Sequence, residues 1–260
     1  MTTAALSHYR ALSRRAIVNT LRKPTAIVPA MLFPLFFMAM SSSAFERSTS
    51  LPGFPVVDSF LQFIVVSTIV QGALFGAVAA GADMANDIEG GFFERLIASP
   101  VTRTSILVGR VAGSALLGFA QAWLFFGVAS AFGLRSEGGF LSMLMVAAAS
   151  SVLAAAIGSL SVAFALKTGS TEAVQGSFPL LFVALFLSSA FFPRDLMEGW
   201  FKAVASVNPL SHLIEGLRTQ VIEGIELVPY LKSLGIAVAL LAATTSMGAL
   251  ALRGRLAQRN

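Results

Sequence analysis

Six mostly apolar stretches constrain this chain more than any motif does: Thr25–Phe45, Asp58–Ala82, Ser105–Gly133, Phe140–Leu166, Ala173–Phe192 and Val228–Leu252. Crossing a bilayer takes about 20 such residues in a helix, so each block is long enough to span. With 56% hydrophobic residues and only 12% charged, the chain lacks the polar surface of a water-soluble domain. The fold expected is all-α: one polytopic membrane domain over residues 1–260 with six transmembrane helices. A cleaved signal peptide ending at Ser42-Ser43-Ala44 is the rival reading of the first block. A long polar segment precedes that block, however, and five more spans follow it.

Charge gives the orientation. Lysine and arginine near span ends stay on the cytoplasmic side. Placing the N-terminus inside puts 12 of the 18 basic residues there, from Arg10 through Arg95, Arg103, Arg110 and Lys167 to Arg259. The outer face keeps Arg47, Arg135, Arg194, Lys202 and Arg218, with Lys232 just inside the last span. Both termini are therefore expected in the cytoplasm. A net charge of +5 would suggest nucleic acid in a soluble protein, but here the cations sit where lipid headgroups are, and nucleic-acid binding is not expected.

Several chemistries drop out. There is no cysteine, and His8 and His212 fall on opposite sides of the membrane, so thiol catalysis and histidine-based metal sites lose their candidates. No GxxxxGK[ST] loop occurs, so any ATP, with its magnesium, would bind elsewhere. The span centres hold no ionisable residue, which argues against a proton-coupled carrier. Gln62, Gln71, Gln121 and Gln175 are the polar candidates within or beside the spans, and helix-to-helix hydrogen bonds suit them as well as substrate contact does. Gly72-x-x-x-Gly76 permits close helix approach. Pro24, Pro29 and Pro34 are expected to kink or displace the first span.

The loops carry the more specific patterns. In residues 85–105, Asn86 with Glu89 three positions on matches a capping box, Asp87 suits a helix N-terminus, and Gly90-Gly91 allows a sharp turn. Phe92, Phe93, Leu96 and Ile97 then form a short apolar face flanked by Glu94 and Arg95, and Ser99-Pro100 stops the helix. A helix too short to span and too apolar for a free loop should lie against something. Beyond the fifth block, over residues 193–227, Asp195 with Glu198 repeats the cap spacing, and Leu196, Met197, Trp200, Phe201 and Val204 share a face. Asn208-Pro209 reads as N-cap and first residue of a second helix carrying Leu210, Leu213, Ile214, Leu217 and Val221. Glu215, Arg218 and Glu223 fall between these apolar positions and are expected to pair with each other or face water.

The run Glu89-Gly-Gly-Phe-Phe-Glu-Arg-Leu-Ile-Ala-Ser-Pro-Val101, with Leu107-Val-Gly-Arg110, resembles the signature of type-two ATP-binding-cassette (ABC) exporter permeases. Phe192-Pro-Arg-Asp195 and Asn208-Pro-Leu-Ser-His-Leu-Ile-Glu-Gly-Leu-Arg218 resemble their last outer loop, nearest to the daunorubicin-resistance-type drug exporters. Gly91-Phe92 stands where many relatives carry Gly-Thr. The resemblance implies a cytoplasmic N-terminal segment (1–24) along the inner surface, a coupling helix (91–99) docked on a separate ATPase, and short outer helices that re-enter the outer leaflet. It makes Glu89, Phe92, Phe93, Glu94, Arg95, Leu96, Ser99 and Pro100 the coupling residues, and Phe33, Phe37, Gln62, Phe63, Phe182 and Phe186 candidates for the substrate path. It implies no resident cofactor, with ATP and magnesium on the partner, and a second permease copy or homologue. The substrate implied is an amphipathic drug-like or lipid-like molecule leaving a prokaryotic cell. A lipid-linked glycan permease, a secondary carrier and a non-transporting scaffold are the alternatives.

Overall fold

A computed structural model describes residues 13–14, 18, 24–98 and 103–257, and among them every regular element is helical. The helices are α1 (Pro24–Phe45), α2 (Phe60–Glu89), α3 (Phe92–Ala98), α4 (Arg103–Ala131), α5 (Gly139–Thr168), α6 (Thr171–Gly176), α7 (Phe178–Phe186), α8 (Gly199–Val207), α9 (Pro209–Ile222) and α10 (Leu227–Ala257). Single 3₁₀ turns occur at Glu46–Ser50 and Arg194–Leu196. Five helices are long and apolar enough to cross a membrane. The expected helix at the N-terminus, and Ser99 and Pro100, lie outside the described residues apart from Ser13, Arg14 and Val18.

Helix α2 is the axis of the bundle. Its most apolar window is 88% buried, against 22% for α1 and 17% for α10, so the last two present their side chains outward. It packs on α5 and α4, and α5 in turn packs on α10. The Gly72-x-x-x-Gly76 pair explains the α2–α4 contact: a Cβ at Gly72 would stand 2.6 Å from the Phe125 ring, and one at Gly76 2.9 Å from Leu117. Ser59 caps α2 by accepting from the Gln62 N–H at 3.3 Å, and Glu46 accepts from the Phe60 N–H at 3.0 Å. These bonds satisfy donors that a helix start leaves open. Helix α1 runs unbroken through Pro29 and Pro34.

Three expectations need correction. Asn86 and Glu89 do not open a short helix, because α2 continues through both and the chain turns only at Gly90 and Gly91, the latter at φ +68°. Their side chains are engaged elsewhere: the Thr171 N–H donates to Glu89 Oε1 at 2.8 Å, and Thr171 Oγ1 donates to Asn86 Oδ1 at 2.9 Å. Asp87 pairs with Arg110 of α4. The second correction concerns the fifth block, which is not one helix. It breaks at Ser177, whose Oγ donates to the Val174 carbonyl at 2.6 Å, and Pro179 in the first turn of α7 has no N–H to continue the α6 ladder. The broken pair still covers the bundle's length. Thr171 is tied to Glu89 at one end, and at the other the Ala190 carbonyl accepts from Ser67 Oγ at 2.5 Å. Those two α2 residues are separated by about 33 Å along a helix rising about 1.5 Å per residue, close to the hydrocarbon thickness of about 30 Å.

Helices α8 and α9 form a hairpin whose turn is tied to the end of α7. Asn208 caps α9 as its sequence implies, accepting from the Leu210 N–H at 2.9 Å, while its amide donates to the carbonyls of Ala184 (2.7 Å) and Leu187 (3.0 Å). Leu210, Leu213, Ile214, Leu217 and Val221 are all buried in the main core, as their spacing predicts. The Asp195–Glu198 cap does not form: α8 starts at Gly199 with no side-chain cap, and Arg194–Leu196 makes a separate turn.

Candidate functional site

The candidate residues fall into three places, at the α3 end, along one flank and at the hairpin end. At the first, α3 is anchored through Phe93, with Leu96 and Ile97 packed against the same cluster. Phe93 is 2% exposed and enters a second core cluster with Met84, Ile88, Leu107, Leu166 and Leu252. Arg255 of α10 stands 6.0 Å over its ring and donates to the Leu166 carbonyl at 2.9 Å. Phe92, Glu94 and Leu96 are partly exposed, and Arg95 is exposed beside the Phe92 ring. The short apolar face is therefore split: Phe93, with Leu96 and Ile97 against it, anchors α3 on its own bundle, and Phe92 and Arg95 remain accessible. Glu89 ties α2 to α6 instead of joining α3.

Along the flank formed by α1, α2 and α7, four of the six path candidates come together. Phe33 lies 6.4 Å from Phe37 and 6.1 Å from Phe182 by ring centroids, Phe37 lies 6.4 Å from Phe186, and Phe182 lies 4.7 Å from Phe186. Phe75 and Phe178, which the sequence does not single out, extend the series at 4.6 Å from each other, and Phe191 closes it 4.6 Å from Phe186. The separations are those of favourable aromatic pairs. Phe33 and Phe186 remain about two-fifths exposed, so this seam is a surface as well as a contact.

Gln62 and Phe63 are elsewhere. Both are buried near the start of α2. Gln62 donates to the Arg135 carbonyl at 3.1 Å and accepts from the Asp58 N–H at 2.9 Å, joining two loops. Phe63 is the platform for Arg218, whose guanidinium carbon lies 3.6 Å from its ring centroid. Arg218 is 4% exposed, not water-facing. It donates to the carbonyls of Phe63 (3.0 Å), Ser189 (3.1 Å) and Ala190 (3.1 Å) and to Ser67 Oγ (3.0 Å). Burial lowers its pKa to about 9, against an opposing effect from Glu215, so it stays a cation at neutral pH. Glu215 itself pairs with Arg194 at 2.5 Å.

The Ser189 and Ala190 carbonyls explain this arrangement. They belong to the turn that ends α7, where no helix ladder absorbs them, and a buried carbonyl without a donor is costly. The guanidinium fork supplies the donors and fixes the hairpin to α2 and to the end of α7 at once. A signal was present in the sequence: Arg218 is four residues after Ile214 and three before Val221, on the buried face of α9.

Arg218 bonds α9 to α2 and to the α7 turn, while Phe93 anchors α3 beside the opposite end of α2 and Arg255 stands over its ring. Known sequences bear on this arrangement. The "Daunorubicin resistance ABC transporter permease protein DrrB1" of Streptomyces coeruleorubidus is 27% identical over 205 residues, covering 76% of this chain and 69% of that protein. A "Putative transport permease ycf38" of Porphyra purpurea is 29% identical, covering 82% and 73%. The "Probable doxorubicin resistance ABC transporter permease protein DrrC" of Mycobacterium tuberculosis (strain ATCC 25618 / H37Rv) is 24% identical, covering 79% and 74%. The model of the ABC-2 type transporter family matches residues 7–221. That match takes in both the α3 turn and nearly all of the hairpin, and the chain belongs to the ABC-2 type transporter family as a multi-pass membrane permease.

Proposed function

We propose that this permease exports an amphipathic, drug-like or lipid-like molecule, powered by a separate ABC-type ATPase whose docking element here is α3. Family membership implies such an ATPase; ATP and magnesium would bind on it and not on this chain. The observation that carries the reading is the split of α3. One aromatic, Phe93, is locked into the bundle with Leu96 packed on the same cluster and α10's Arg255 above its ring, while Phe92 and Arg95 stay accessible to a partner. A force applied to the accessible side is thus passed through Phe93 into the bundle.

In this reading α3 and both termini face the cytoplasm of a prokaryotic cell, the α8–α9 hairpin closes the outer end, and a second permease copy or homologue completes the path. The aromatic seam supplies an apolar, uncharged surface, which suits an amphipath better than a lipid-linked glycan. ATP would act by differential binding: it closes the ATPase, α3 moves, and the bundle shifts to an outward state with lower substrate affinity. The test is reconstitution with the ATPase in vesicles. ATP-dependent outward movement of a fluorescent amphipath is expected from the pair, and no ATP hydrolysis from the isolated permease. Saturable ATP binding by this chain alone would refute the division of labour.

A further inference from the structure

Near the hairpin end of the seam lies a cavity of about 250 Å³ whose lining is chemically narrow. Seven of its eleven lining residues are phenylalanines, among them Phe37, Phe45, Phe186 and Phe191, and none is charged. The only polar side chains are Ser41 and Ser188. Ser188 is already engaged, since its Oγ donates to the Leu185 carbonyl at 2.5 Å and accepts from the Ala190 N–H at 3.2 Å. Ser41 is 2% exposed, and among the described residues its Oγ has no hydrogen-bond partner. A serine within a helix can donate to the carbonyl one turn back, as the neighbouring Ser42 does to Met38 at 2.7 Å. A buried hydroxyl left unmatched in an apolar cavity is costly unless something else supplies the bond.

We propose that this cavity binds the uncharged aromatic part of the exported amphipath, with a carbonyl or hydroxyl of that part bonded to Ser41 Oγ. The inference rests on the exporter reading above and names the residues that hold the substrate near the outer end. Size supports a part and not the whole, because sites for drug-sized ligands hold about 300–1,000 Å³. The polar remainder stays outside, past the partly exposed Phe45, Phe186 and Phe192. Rings that already meet edge to face, such as Phe37 and Phe191 at 5.0 Å and 68°, favour a flat aromatic guest. Phe192, Met197 and Phe201 come from the segment that leads into the hairpin and from α8, so the guest touches the element that closes the outer end.

The test uses the full permease with its ATPase in phosphatidylcholine nanodiscs. The probes are an uncharged phenyldiazirine ketone and a phosphatidylcholine carrying a diazirine in its acyl chain. Photolabelling by the ketone is expected within Phe37–Phe45 and Phe186–Met197, competed by an exported fluorescent amphipath. Ser41→Leu, which fills the cavity, should reduce labelling at least about tenfold. Ser41→Ala, which leaves the space and removes only the bond, should reduce it about fivefold, and it carries the test if Ser41→Leu does not accumulate. Unchanged ketone labelling in both variants would overturn the assignment, as would equal labelling by the acyl probe that the amphipath cannot compete, which marks a lipid site. If the wild-type pair exports the amphipath while the cavity remains unlabelled, only this inference fails. If the cavity labels but the pair exports nothing, the exporter reading fails.

Discussion

Replacing Arg218 by Met tests whether one cation holds the hairpin in place. The volume is roughly kept, so the change removes the fork and the ring stacking while leaving the carbonyls it serves. Each carbonyl left short of a donor costs about 1–3 kcal/mol, and a desolvated guanidinium over a ring contributes about 2 kcal/mol. Relief of the guanidinium's own burial offsets part of this. Exchanging a whole buried polar set for apolar groups is often neutral, but removing one partner is destabilising by about 3–5 kcal/mol, and Met is the second case. A net loss of about 3 kcal/mol is expected, near the low end because Ser67 still donates to Ala190. For a chain of this size that lowers Tm by about 6–12 °C, and it raises the population of a released hairpin about a hundredfold. Ala205 is fully buried in α8, so the rate of maleimide labelling at Ala205→Cys in this cysteine-free chain reads that release directly. Arg218→Lys should fall between, since an ammonium cannot bond in a fork or stack flat. A Tm within about 2 °C of wild type, together with unchanged labelling, would show that apolar packing of α9 suffices and refute the reasoning.

The split of α3 predicts two phenotypes in adjacent residues. Phe93→Ala should cost about 3–5 kcal/mol in the fold and lower Tm, whereas Phe92→Ala should leave Tm alone and weaken ATPase co-purification and export; equal effects at Phe92 and Phe93 would dissolve the distinction. Gly216→Ala should separate α9 from α10, because the new Cβ would stand 2.5 Å from the Pro229 carbonyl; about 1–3 kcal/mol of strain should appear as a lower Tm. Single cysteines at Ser136 and Glu198 should react with an impermeant maleimide on intact cells while Gly254→Cys should not, and the reverse pattern would invert the topology.

Periodicity and caps made the bundle and the second helix of the hairpin legible, because Leu210 through Val221 and the Asn208-Pro209 cap obey local rules. The break at Ser177 was not, since in lipid an apolar run reads as a span whether or not its ladder is continuous, and Pro179 near its start resembles an ordinary first-turn proline. Arg218 was misread for a related reason. A charge among apolar positions looks solvated until the carbonyls it serves are known, and these lie 28, 29 and 155 residues earlier in the chain. Glu89 shows the reverse error: its spacing from Asn86 fits a cap, yet its acceptors are used by Thr171, 82 residues away. The four phenylalanines that cluster were among the path candidates, whereas Gln62 and Phe63 were separated from them only by three-dimensional packing.

Helix α2 and the α6–α7 pair run side by side, pinned together near Glu89 and again near Ser67. One member is a continuous rod; the other has a joint at Ser177, nearer its pin at Thr171 than its pin at Ala190. Two struts fastened at both ends cannot slide freely past each other, so when the rod tilts, the mismatch in length collects at the joint and the jointed strut bows. Phe178 and Phe182 are the first aromatic residues beyond that joint. A tilt imposed at one end of the rod would therefore be taken up as sideways travel of the aromatic surface, with no flexible loop needed to carry it.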